Sequence, residues 1–201
     1  MRYALTIALL LAVCALAFTG MRRGWQGRER RTATLVPALP AFPADGDPAL
    51  GAAVTTPFEA TYVSTTAAGD WLDRVVAHGL GARSAALVRV FAGGVRIDRQ
   101  GARDLFVPAS DVRGARTAPG MAGKYVGRDG IVVLTWQVPE AAAGAQPTLL
   151  DTGLRLRHRA DRAILIAAIE ALTAQPRTTP EPDPQAQTSA ADSDATRKEH
   201  R

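Results

Sequence analysis

The sequence predicts a mainly β domain, six or seven short antiparallel strands closed by one C-terminal helix, carried behind an N-terminal transmembrane helix. Three observations predict it. Residues 3–21, YALTIALLLAVCALAFTGM, hold no charge and are bracketed by Arg2 and Arg22. From residue 57 to 157, apolar side chains recur at every second position in short runs parted by Gly, Pro and Asp, the period of half-buried strands. Residues 161–173 switch to the helical period, with Leu165, Ala168, Ile169 and Leu172 at i, i+3, i+4 and i+7.

The first element is the uncharged run. Nineteen helical residues cover about 28 Å, close to the hydrocarbon thickness of a bilayer, and Tyr3 and Trp25 stand where amphipathic aromatics anchor a span. After the span, Arg22, Arg23, Arg28, Arg30 and Arg31 face one acid, Glu29, while the N-terminal side offers Arg2 and the α-amino group. Basic flanks stay in the cytoplasm, so the expectation is a single-pass protein of the cell membrane with its N-terminus outside and its domain cytoplasmic. The membrane interface is then Arg22, Arg23, Trp25, Arg28, Arg30 and Arg31, and membrane lipids are the partners expected through the anchor. The alternative is a signal peptide cut at Ala15-Leu16-Ala17, releasing a secreted chain that starts at Phe18. One arginine in the n-region and a dense arginine cluster after the cut speak against it. Val13 before Cys14 is wrong for a lipoprotein signal, so Cys14 reads as a small apolar residue of the span.

Residues 1–31 therefore read as anchor and flank. Residues 32–54, with four prolines and no sustained period, read as an extended linker. The domain is expected over 55–174. In PFEATYVSTT, Phe58, Ala60 and Tyr62 alternate with Glu59, Thr61 and Val63, a strand. Asp70 as N-cap, Leu72, Val75 and Val76 on one face and Gly79 as terminator predict a short helix over Trp71–Ala77. ALVRVFAGGVRID reads as a hairpin turning at Gly93-Gly94, with Val95 and Ile97 inward and Arg96 and Asp98 outward. Residues 105–107 and 111–117 give two more short strands split by Pro108. DGIVVLTWQV is the clearest strand, placing Val132, Leu134, Trp136 and Val138 on one face. Residues 141–147 form a loop, and TLLDTGLRLRHR sets Leu150, Leu154 and Leu156 opposite Asp151, Arg155 and Arg157. Asp161 caps the last helix. The tail 175–201, with four prolines and no large apolar residue, is expected to be disordered.

Composition limits the chemistry. The single cysteine lies in the span, and His78, His158 and His200 have no ligand spacing, so neither a disulfide within the chain nor a metal or cofactor site is expected. The net charge of +5 divides into +3 over residues 1–54, +3 over 55–174 and −1 over the tail. That balance fits attraction to anionic lipid rather than a nucleic-acid footprint. Ser64, Ser84 and Ser110 lack a G-x-S-x-G setting, and no Gly-rich phosphate loop follows a strand. The chain is expected to be non-catalytic, with no catalytic residues.

The stretches TYVSTTAAGDWLDRVVAHGLGARS at 61–84, FVPASDVRGAR at 106–116, GRDGIVVLTW at 127–136 and LLDTGLRLR at 149–157 resemble actinobacterial single-pass membrane proteins with a bacterial pleckstrin-homology-like (PH-like) domain. The resemblance spans most of 57–174. It implies a PH-like antiparallel barrel capped by the C-terminal helix, and no assigned catalytic residues. Eukaryotic PH domains that bind phosphoinositides gather basic residues around the first inter-strand loop; here Asp70 and Asp73 offset Arg74, and that pattern is not met. Arg96, Arg99 and Arg103 form a modest basic run, interrupted by Asp98 and Asp104, and are the candidate lipid or partner face. Two classes of function follow. One is a membrane-tethered interaction or scaffold domain with a protein partner; the other is a peripheral lipid sensor or accessory subunit of a membrane transporter.

Overall fold

A computed structural model of the protein describes residues 2–36, 38–138 and 148–174, with the backbone alone at 2–6, 8, 25–31, 34 and 35. The expected loop at 141–147 and the tail at 175–201 lie outside the described residues. Helix α1 (Arg2–Leu35) is followed by nine strands, β1 (Phe58–Ala67), β2 (Ser84–Phe91), β3 (Gly94–Arg99), β4 (Leu105–Pro108), β5 (Val112–Ala118), β6 (Gly120–Met121), β7 (Lys124–Tyr125), β8 (Ile131–Gln137) and β9 (Leu149–Leu156), and by helix α2 (Asp161–Ala174).

Seven strands make one antiparallel sheet in the order β4-β3-β2-β1-β9-β8-β5, and β6 and β7 form a separate small hairpin. Strand β1 links the two halves, pairing with β2 over Phe58–Tyr62 and with β9 from Ala60 to Ala67. A register shift between Tyr62 and Ser64 leaves Val63 as an extra residue there. Such a bulge sharpens bend and twist, which lets one strand serve both halves. Helix α2 packs on β5, β8 and β2 and buries Leu165, Ile169 and Leu172. The sheet faces predicted from alternation are present: Val132, Leu134, Trp136 and Val138 are buried, as are Val95, Ile97, Leu150, Leu154 and Leu156.

The segment expected to be a free linker is part of the fold. Residues 32–35 belong to α1, Val36 is fully buried, and Phe42 and Leu50 join Phe91 and Phe106 in a small apolar cluster. Four prolines remove any period from this stretch, but its large apolar side chains still have a surface to cover. The Leu50 carbonyl accepts from Gly93 N at 2.8 Å, and a Cβ on Gly93 would stand 2.0 Å from the Ala49 carbonyl. The hairpin turn therefore needs glycine because the 49–50 backbone lies against it.

The helix expected over Trp71–Ala77 does not form. Asp70 caps a turn instead, its Oδ1 accepting from Leu72 N at 2.9 Å and Asp73 N at 3.2 Å. Arg74 then bridges Thr66, and Val75 N donates to the Thr65 carbonyl at 2.9 Å, so the chain runs as a fragment of strand beside β1. A 3-10 turn over Ala77–Gly79 follows, with His78 at φ 55° and Gly79 at φ 73°. An Asx turn and a helix N-cap use the same residue types, and the β-branched pair Val75-Val76 favours the extended choice.

Helix α1 also differs from expectation, because it runs through the arginine cluster and ends on the domain. Thr32 Oγ1 accepts from Val76 N at 3.3 Å and Ala77 N at 3.0 Å, and His78 Nε2 donates to the Val36 carbonyl at 2.8 Å. Among the described residues no helix is long and apolar enough to cross a membrane. The span expected at 3–21 is thus without support from the described part of α1; the side chains of residues 3–6 and 8 lie outside it.

Candidate functional site

The residues singled out as a basic face do not make one. Alternation along β3 places Arg99 on the side of Val95 and Ile97, and the residue is 6% exposed. Its guanidinium lies 3.8 Å from the centre of the Tyr62 ring and donates to the carbonyls of Gly79, Ala82 and Arg103 and to Ser84 Oγ. Burial lowers its pKa, while the Tyr62 and Asp104 charges act the other way. Arg96 pairs with Asp45 and Asp98 and stacks over Phe42 at 4.7 Å, holding the 36–54 segment to the sheet. Arg103 is the exposed member of the three, its backbone carbonyl accepting from Arg99 Nη1 at 3.1 Å. Two of the three arginines, Arg96 and Arg99, are thus engaged in contacts within the domain, and Arg103 is left exposed. On α1, Arg22 and Arg23 are exposed, with Arg22 5.9 Å from the Phe18 ring centre. Trp25, Arg28, Arg30 and Arg31 lie on α1 outside the residues whose side chains are described.

Below Arg99 runs a second internal network. Trp136 Nε1 donates to Thr152 Oγ1 at 2.9 Å, Thr152 meets Thr65 at 2.8 Å, Thr65 meets the Tyr62 hydroxyl, and Tyr62 donates to the Leu80 carbonyl at 2.9 Å. An indole N–H only donates and a carbonyl only accepts, so every hydroxyl in the chain is oriented one way. This network is sealed inside the domain and fixes the 75–80 segment on β1.

One recess that solvent reaches lies on the outer face of the sheet. Met121 folds β6 and β7 back over Ala118, Ile131 and Val133, forming a second apolar cluster with Val63. Opposite it stands the Asp70 turn, tied on by Ala122 N donating to the Trp71 carbonyl at 2.7 Å and by Arg74 Nη2 donating to the Ala122 carbonyl at 3.3 Å. Between them lies a cleft of about 470 Å³ with Trp71 and Tyr125 on its walls and Arg116, Asp151 and Thr66 among its polar groups. Asp151, expected to face solvent, is buried because the hairpin covers this face; it accepts from Arg116 Nη2 at 2.7 Å and Thr135 Oγ1 at 2.6 Å. Thr66 Oγ1 is buried and has no hydrogen-bond partner among the described residues. Nothing in the notation of alternating runs pointed to this cleft; the signal present was the Gly120–Gly123 turn and the unmatched aromatics Trp71 and Tyr125.

The cleft offers an ion-paired guanidinium, a free hydroxyl and apolar walls, the means to hold a ligand. Among the described residues no His, Cys, Asp and Glu are grouped to hold a metal. A family model described as "Bacterial PH domain-like" matches residues 36–170. No curated protein matches the chain in sequence. Among solved structures, a chain from "The 8S snRNP Assembly Intermediate" is similar at 8% identity and a TM-score of 0.45, covering 72% of this chain and 96% of that one, a likeness too distant to bear on function.

Proposed function

The chain belongs to the bacterial PH domain-like family, and from that premise we propose that it is a membrane-tethered, non-catalytic interaction domain, held at the cytoplasmic face by α1 and presented to a protein partner. One observation carries this reading: α1 is apolar and uncovered at one end and bolted to the domain at the other. Ile7, Leu9, Leu10, Leu11, Val13 and Leu16 are all more than half exposed, and consecutive positions on a helix point to different sides. A helix apolar all round is favourably placed in hydrocarbon or in a protein interior. At about 1.5–3 kcal/mol for each large apolar side chain, moving this stretch out of water is worth on the order of 10 kcal/mol.

At its other end, Thr32 and Val36 dock on the 76–78 segment, so the domain is mounted on the helix rather than hung from a loose tether. The runner-up, a charge-reading lipid sensor, is less favoured because Arg99 is buried and Arg96 is paired with Asp45 and Asp98. The five arginines after the uncharged run still favour an outside N-terminus. A reporter that works only in the cytoplasm, fused after Arg201, is expected to be active. Activity from a reporter that needs the far side of the membrane overturns the orientation.

A further inference from the structure

The cleft between the Asp70 turn and the β6–β7 hairpin is rich in unused donors. Arg116 gives one N–H to Asp151, and its other N–H groups meet no acceptor among the described residues. The Trp71 indole N–H and the Tyr125 hydroxyl, on the walls, are likewise free among the described residues, and the two residues are 53% and 76% exposed. Asp151, the acid of the lining, already has one carboxylate oxygen bonded to Arg116 and the other to Thr135. A ligand suited to this cleft carries carbonyl or carboxylate acceptors, few N–H groups of its own, and compact apolar surface for the two rings.

One segment of this chain has that composition. Pro180-Glu181-Pro182-Asp183-Pro184 offers five backbone carbonyls and two carboxylates against two backbone N–H groups, because proline has none. Proline at every second position confines a chain to extended conformations, which reduces the entropy lost on docking, and its ring packs flat on Trp and Tyr. Charges beside the cleft cancel, Arg74, Lys124 and Arg128 against Asp70, Asp73 and Asp129, so the match is one of hydrogen bonding and ring contact rather than of net charge.

The tail also starts within reach. Helix α2 begins beside the cleft: Arg162 Nη1 donates to the Asp129 carbonyl at 2.6 Å, and Asp129 Oδ1 accepts at 2.8 Å from Thr117 Oγ1, which lies between the lining residues Arg116 and Ala118. From Arg162 to Ala174 the helix rises about 18 Å. Pro182 follows Ala174 by eight residues. Extended, they cover up to about 28 Å, so the segment makes the return with about 10 Å to spare.

We propose that residues 180–184 dock in the cleft of their own chain, with proline rings against Trp71 and Tyr125 and with carbonyl oxygens accepting from Arg116, the Trp71 indole and the Tyr125 hydroxyl. The tail then holds the cleft against other ligands. Docking of this kind is intramolecular and does not require α1 to enter a membrane. Because it draws on ring contact and hydrogen bonds, it is little affected by salt.

The test compares the full chain in mild detergent with a variant carrying Pro180→Ala, Pro182→Ala and Pro184→Ala, by amide hydrogen exchange. At an effective concentration of about 1 mM and a dissociation constant of about 0.1 mM, the cleft is closed about ten to one. Amides of residues 70–74 and 120–126 are then expected to exchange about tenfold more slowly in the parent chain than in the variant, at any protein concentration. A synthetic peptide of residues 176–186 is expected to bind the triple variant, and to lose that binding when Trp71→Ala is added with circular dichroism unchanged. Equal exchange in the two chains, or a triple variant that does not bind the peptide, overturns the docking. Protection that grows with protein concentration overturns it in favour of the tail of a second copy. Peptide binding undiminished by Trp71→Ala overturns it by placing the segment elsewhere on the domain.

Discussion

Replacing Arg99 distinguishes a structural cation from a recognition surface. Its guanidinium supplies the donor for three carbonyls, those of Gly79, Ala82 and Arg103, and covers the Tyr62 ring at 3.8 Å. Hydrogen bonds net about 1 kcal/mol each, and a desolvated cation–π contact adds about 1 kcal/mol. Loss of the buried positive charge offsets part of this, so Arg99→Ala is expected to cost about 3 kcal/mol. Arg99→Lys recovers little, since an ammonium lacks the planar fork that meets carbonyls from two loops. Arg103→Ala, which leaves the backbone carbonyl in place on an exposed residue, is expected to stay within about 0.5 kcal/mol. Urea unfolding of the full chain in mild detergent, followed by tryptophan fluorescence, measures all three. Equal and small effects at Arg99 and Arg103 refute the burial argument and restore the basic face that spacing alone suggested.

Trp136→Ala removes a fully buried indole and the donor to Thr152, and is expected to cost about 3–5 kcal/mol in the same unfolding assay; a loss below about 1 kcal/mol contradicts its place in the core. Burial holds the Tyr62 phenol up at about 12, against 10.0 for a free tyrosine, with the Arg99 charge and the bonds to Thr65 and Thr152 pulling the other way. Because the folded pKa is raised, this stabilisation is complete below pH 10 and is lost as pH rises toward 12, by about 3 kcal/mol, a fall that Tyr62→Phe should remove. Gly153→Ala places a Cβ 2.6 Å from Met121 Sδ, so Met121 must shift and the hairpin over the cleft loosens. The expected cost is about 1–2 kcal/mol, with faster amide exchange over residues 120–125 than elsewhere.

What the sequence disclosed followed from period and turn chemistry. Strands β8 and β9 and helix α2 repeat their apolar residues at a fixed spacing and bury them where that spacing says. The inward turn of Arg99 was equally legible, since Val95, Ile97 and Arg99 share one parity on β3, although a guanidinium ordinarily belongs in water. The 70–79 segment was ambiguous because Asp70 serves an Asx turn as well as a helix N-cap, and Val75 and Val76 are buried in either case. The packing of residues 36–54 was announced only by Val36, Phe42 and Leu50 among prolines. Burial of Asp151 had no local signal at all: it depends on a hairpin thirty residues earlier folding over the outer face, and β6 and β7 are two residues each.

The central claim, a PH-like domain mounted on a membrane by its own N-terminal helix, is tested most directly by alkaline carbonate extraction of membranes containing the untagged chain, with intact mass measured on both fractions. The account predicts a pellet holding a chain that retains its N-terminal helix. Release into the supernatant, or the mass of a chain beginning at Phe18, contradicts it.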